Sequence, residues 1–214
     1  MGNDLELAAC RCRPVEAQSF NPKARLPYGC TVEDIRKVMT DFAEFLTFVN
    51  QQLHSREMVR LESMLMPANF SSMVGEFVTA HIPRYCSGLV RNKHHNGHPD
   101  LIPANRFAND AVQYTHDGIE VKASRYLRGW QGHNPENVWL MVFVFDSSRP
   151  VDPVKGVPPK PFGFLVVAGA KLAKDDWAFA GRSETSRRTI TASVTETGWE
   201  KTMANWIYKA PELL

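Results

Sequence analysis

Gly118-Ile119-Glu120-Val121-Lys122-Ala123-Ser124 alternates apolar and charged side chains with a period of two, the pattern of a strand that turns one face to a core. Ile119, Val121 and Ala123 share one face, and Glu120 and Lys122 share the other. Asp100, in Gly97-His98-Pro99-Asp100-Leu101-Ile102, lies 20 positions before Glu120. Pro103-Ala104-Asn105, Asn109-Asp110 and His116-Asp117-Gly118 between them carry turn chemistry enough for the chain to double back. A return of that kind sets Asp100 beside Glu120, so that two carboxylates and a lysine share one surface. Paired carboxylates suit a hard divalent cation whose other ligands are water or phosphate. The plain alternative is a turn-capping Asp100 and a solvated Glu120–Lys122 pair.

Outward from this strand, residues 138–145 and 162–168 are apolar on both faces, as central strands are when covered on both sides. Shorter β segments are expected at 89–90, 100–102, 111–114 and 188–194. The stretch 146–161, with Pro150, Pro153, Pro158, Pro159, Pro161 and Gly156, reads as a loop at a strand end. The chain before residue 88 has helical spacing instead. Thr31 and Asp34 open a helix with a capping pattern, and Ile35, Val38, Met39, Phe42, Phe45, Leu46, Val49 and Leu53 carry it for about six turns. A second helix is expected over 57–66, stopping at Pro67, and a third from Asn69 to just before Pro83. Residues 171–177 read as a short helix and 197–208 as a closing one. Residues 1–30, with Pro14, Pro22, Pro27 and Gly29 and no sustained period, read as an irregular arm. One domain follows over 31–214, a helical layer (31–82) and a sheet core (88–214). The expected class is α/β (α+β), a central mixed sheet flanked by helices.

With 214 residues, 43% hydrophobic and 22% charged, the chain is long enough for one sizeable core and has no disorder signature. A formal net charge of +2 requires any polyanion partner to be met by local clusters of cations. No apolar run is long enough for a membrane span, and Asp4, Glu6 and Glu16 interrupt the start where a secretory signal would stand. Cys10, Cys12, Cys30 and Cys86 include no CxxC pair and read as reduced thiols of a cytoplasmic protein, with a zinc site from the first three and a histidine as the alternative. No phosphate-binding GxxxxGK[ST] or GxGxxG loop follows a strand, so no nucleotide cofactor is expected.

The order Pro99-Asp100, a gap, then Glu120-Val121-Lys122 resembles the PD-(D/E)xK nuclease superfamily, and its surroundings are similar to type II restriction endonucleases over residues 70–146. The resemblance implies a restriction-endonuclease-like core and a Mg²⁺-dependent phosphodiester hydrolase acting on specific double-stranded DNA sequences, with Mn²⁺ able to substitute. It implies that Asp100 and Glu120 ligate the metal with the Val121 carbonyl, and that Lys122 serves the attacking water. Glu76, on the preceding helix, stands where such a family places a further acidic ligand. A palindromic target implies a homodimer, for which the first two helices are the candidate contact. A nuclease of the same fold acting in repair or on modified DNA, and a non-cleaving DNA-binding protein, remain alternatives.

Candidate DNA contacts surround the motif. Ser124, Arg125, Arg128, Gln131, His133 and Asn134 mix cations and amides in a turn-rich stretch suited to phosphates and base edges, and Arg182, Arg187 and Arg188 form a second cluster. Lys93 and His94 would stand at the entrance. Solvated loops are the ordinary reading of all three groups. His94, His95, His98, His116 and His133 admit a transition-metal or general-base reading, although their spacing matches neither HExxH nor a Cys/His finger.

Overall fold

The computed structural model describes residues 2–132, 134–180 and 191–214. These residues form a mixed six-stranded sheet from β1 (Leu89–Arg91), β2 (Leu101–Pro103), β3 (Ile119–Ser124), β5 (Val138–Asp146), β6 (Gly163–Leu172) and β9 (Trp206–Lys209), in the order β1-β2-β3-β5-β6-β9. Only β3 and β5 run parallel, with Glu120 opposite Leu140 and Lys122 opposite Val142. A second, antiparallel sheet has the order β4-β8-β7, from β4 (Gln131–Gly132), β7 (Trp177–Ala180) and β8 (Thr191–Val194). The class expected from the pattern, a mixed sheet with flanking helices, is the class observed.

The doubly apolar sequence of β5 explains the layering. Trp139, Met141, Phe143 and Phe145 enter one core with α2 (Val32–His54) and α4 (Pro67–Tyr85), through Phe42, Leu46, Phe70, Val74 and Val78. Val138, Leu140, Val142 and Val144 enter the other, against Trp177, Ala192 and Val194 of the small sheet, Trp130 just before it and Trp199 of α5 (Glu196–Ala204). Each fully buried side chain of this size contributes about 1.5–3 kcal/mol in removed apolar surface. β3 obeys its alternation, with Ile119, Val121 and Ala123 facing the helical core.

The capping pattern at Thr31 is present as read: Thr31 Oγ1 accepts the Asp34 N–H at 3.1 Å and Asp34 Oδ2 accepts the Thr31 N–H at 2.9 Å. Other segments depart from the sequence expectation. Residues of the supposedly irregular arm form α1 (Gly2–Ala9), held by tertiary contacts that no local pattern reports. Helix 57–66 shrinks to α3 (Leu61–Met64), because Glu57 turns into the left-handed region at φ 57°. α4 starts at Pro67, which takes the first-turn position where a missing N–H is harmless, and ends two residues after Pro83. Residues 111–114 form no strand beyond an isolated bridge between Tyr114 and His98: the buried Asn92 amide accepts the Val112 N–H and donates to its carbonyl, taking the ladder bonds of that residue. β6 extends through Leu172, and Trp177 opens β7 where a helix was expected. The closing helix stops at Ala204, since Asn205 spends its amide on Arg25 and Gly169 and sends the chain into edge strand β9.

Arg60 ties the N-terminal helices to the β5–β6 loop. Its guanidinium, 2% exposed, pairs with Glu62 and with Glu6 (2.9 Å) and donates to the Lys160 carbonyl (3.0 Å) and Ser148 Oγ (3.1 Å). Glu62 is fully buried and takes a further bond from Asn50 at 2.9 Å. Removing the cation leaves Glu62 without its counter-charge in a dry site, so Arg60→Met is expected to cost about 3–5 kcal/mol in guanidinium unfolding. The double variant Arg60→Met/Glu62→Leu is expected to recover much of that loss.

Candidate active site

Asp100 enters the site one residue ahead of β2. β2 pairs with β3 at Leu101 and Ile119 only, and the next donor on β3, the Val121 N–H, is taken by Asp100 Oδ2 at 2.8 Å. A side-chain carboxylate thus continues the ladder where the backbone of β2 diverges. Gly118 makes the approach feasible: its φ is 139°, and a Cβ there would lie 2.1 Å from the Leu101 carbonyl oxygen. The Gly118 N–H donates to Tyr28 Oη at 2.7 Å, which anchors the turn into β3.

Glu120 and Lys122 point off the same face of β3, as the alternation requires, and form an ion pair. Glu120 is 8% exposed. Its second oxygen lies 3.1 Å from His98 Nδ1, and His98 Nε2 lies 2.9 Å from Glu136. With a carboxylate on each nitrogen, both nitrogens donate and the ring is an imidazolium. Tyr114 stacks on it at 5.5 Å between centroids.

The charge states follow from this packing. Burial works against charge on Glu120, but the bond from His98 and the charges of Lys122 and His98 outweigh it and hold the carboxyl at about 2. Burial likewise disfavours the His98 cation, and the bonds and charges of Glu120 and Glu136 override it, raising the ring to about 9. Lys122 is raised as well, since Glu120 and Asp100 outweigh its desolvation. Asp100 goes the other way: burial and then the Glu120 charge push it up to about 7, against Lys122 and the Val121 N–H. It is the carboxyl for which the protein's own cations are not enough.

These groups line a cleft of about 1160 Å³ that also takes in Arg91, Lys93, His94, Gln113 and Asn134. Asp100 and Glu120 offer hard oxygen donors to a divalent ion there, and such an ion would offset both the burial and the Glu120 charge that raise Asp100. Two carboxylates leave most of the coordination sphere to water and substrate, which suits Mg²⁺.

The remaining sequence candidates disperse. Glu76 lines the cleft from α4, but its carboxylate is paired with Arg91 and its side chain is 66% exposed, so it stands apart from the buried pair. Lys93 is bound to Asp110 at 2.9 Å, and His94 Nδ1 lies 2.8 Å from the His95 carbonyl. Ser124 Oγ closes a turn with the Tyr126 backbone. Arg125 is turned inward, where its guanidinium donates to the Ser147 and Ser148 carbonyls and lies over the Phe70 and Phe145 rings, so it is a strut and not a groove contact. Arg128 is exposed, paired with Glu196 and stacked on Trp199 at 3.9 Å. Gln131 begins β4 and borders a smaller recess of about 390 Å³ next to Lys122, whereas Asn134 lies on the main cleft. His133, Arg182, Arg187 and Arg188 lie outside the described residues.

Glu136 is absent from the sequence reading, and His98 enters it only as one of five histidines open to a metal or general-base role, not as the clamp on Glu120 that it forms. His98 had a visible signal in its position two residues before Asp100. Glu136 had none, because its approach depends on the parallel pairing of β3 and β5. Comparison with protein-family models, curated proteins and solved structures finds no match for this chain.

The His98 cation contributes stability that is fully present below its ordinary value of 6.5 and is lost as pH rises through about 9. In chelator-treated protein, the unfolding free-energy difference between wild type and His98→Gln is therefore expected to shrink across that interval. A difference that stays constant or grows with pH would contradict the clamped imidazolium.

Proposed function

We propose that this protein is a Mg²⁺-dependent DNA endonuclease of the PD-(D/E)xK type, cutting specific double-stranded sequences as a type II restriction enzyme does. The observation that carries this reading is the convergence of Asp100, just ahead of β2, with Glu120 and Lys122 of β3, inside a cleft with cations along its wall. Asp100 and Glu120 would hold Mg²⁺, with the Val121 carbonyl as a further donor, and Mn²⁺ would substitute. When bound, the ion supplies Lewis-acid stabilisation of the charge that builds on the phosphoryl oxygens. Lys122 orients the attacking water through its ammonium and offsets the same charge from the protein side. His98, fixed by Glu136, keeps Glu120 from turning away.

Arg91, Lys93, His94 and Asn134 along the cleft provide phosphate and base contacts in this reading. Cutting both strands of a palindrome calls for a homodimer. The exposed apolar side chains Phe48, Met58, Val59 and Met66 on α2 and around α3 are the surface we assign to it. No helix among the described residues is long and apolar enough to cross a membrane, which suits a protein that meets DNA in the cytoplasm.

Purified protein with Mg²⁺ is expected to cut plasmid and phage DNAs of some methylation state into fragments of fixed length. Asp100→Ala and Lys122→Ala should each lower cleavage by about 10³-fold while leaving DNA retention in gel shifts largely intact. DNAs of every methylation state left whole, or unchanged cutting by either variant, would refute the reading.

A further inference from the structure

Away from the cleft, Cys30, Asp34 and Cys86 bring two thiols and a carboxylate oxygen within 4.8 Å of one another. The three residues come from the two ends of the helical layer. Cys30 directly precedes Thr31, the N-cap of α2, Asp34 lies in the first turn of that helix, and Cys86 is the C-cap of α4. Both cysteines are free and buried, at 6% and 2% exposure. Asp34 gives one oxygen to the Thr31 N–H and, as a carboxylate, has a second to offer.

The donor set selects the ion. Two sulfurs and one oxygen are wrong for Mg²⁺ and right for a borderline-soft cation that accepts tetrahedral geometry, which is Zn²⁺. We propose that Cys30, Cys86 and Asp34 bind one zinc ion per chain, with water in the fourth position. Binding displaces one proton from each thiol and leaves the carboxylate as it is, so two protons are released per zinc. The half-buried Asp34 gives the ion its route from solvent.

The clip would do more than join two helix ends. Cys86 Sγ lies 3.7 Å from the Tyr28 carbonyl oxygen, and the hydroxyl of the same tyrosine receives the Gly118 N–H. Zinc would therefore stiffen the turn against which β3 begins. This inference is independent of the nuclease reading and is tested without activity.

The full chain, purified without chelator, is expected to retain one zinc through gel filtration. Exchange for Co²⁺ should give intense visible bands of tetrahedral cobalt and a thiolate charge-transfer band, lost in Cys30→Ser and Cys86→Ser but kept in Cys10→Ser and Cys12→Ser. Because serine at a buried position can unfold the chain, a second measurement uses the wild type: a metallochromic dye should report one zinc per chain released on denaturation, and Zn²⁺ returned to chelated, folded protein should release about two protons per ion bound. Chelation should also lower Tm by about 5–10 °C, restored by Zn²⁺ and not by Mg²⁺. No retained metal and no cobalt bands, bands that survive both serine variants, or two thiols lost to a disulfide in untreated protein would each overturn the proposal.

Discussion

A carboxylate withdrawn from water has to be met by positive charge, and the arrangement of the cleft follows from how Glu120 is met. Lys122 comes from the same strand face and supplies one cation at no topological cost. One lysine leaves the second oxygen of Glu120 bare, and His98 covers it. A histidine in that position must itself be kept charged in a desolvated place, which brings in Glu136 from the entry to β5. Three segments distant in sequence are thereby locked to one another. Asp100 is added to the same dry site, and burial, followed by the Glu120 charge, raises its proton affinity in spite of Lys122 and His98. The same logic runs along the cleft wall, where Arg91 is paired with Glu76 and Lys93 with Asp110.

The parts of this fold legible in the sequence are those governed by short-range rules. The period of two in β3 placed Glu120 and Lys122 on one face, the Thr31/Asp34 pair marked the start of α2, and the doubly apolar run 138–145 identified a strand covered on both sides. What escaped was decided by distant partners. Residues 206–209 carry the helix-like tail of α5 but pair with β6, because Ile207 and Tyr208 find their core there. Residues 111–114 have strand composition, but Val112 gives both its backbone hydrogen bonds to the Asn92 side chain and only a single bridge, between Tyr114 and His98, is left. At the site, Asp100, Glu120 and Lys122 were readable from spacing and alternation. Arg125 was misjudged for the converse reason: an arginine in a polar, turn-rich stretch looks like a groove contact until the carbonyls of Ser147 and Ser148 are found to claim it.

β5 is a wall one residue thick between two hydrophobic clusters, with alternate side chains belonging to each. Neither cluster can loosen independently, since opening one strips the other of its lining. Domains with separable layers can melt in stages, with a partly ordered half surviving the first. Here the helical layer and the small sheet share their central strand and should lose order together, so that the slowest amide exchange in the molecule falls on β5 and β6 and reports the free energy of the whole unfolding transition.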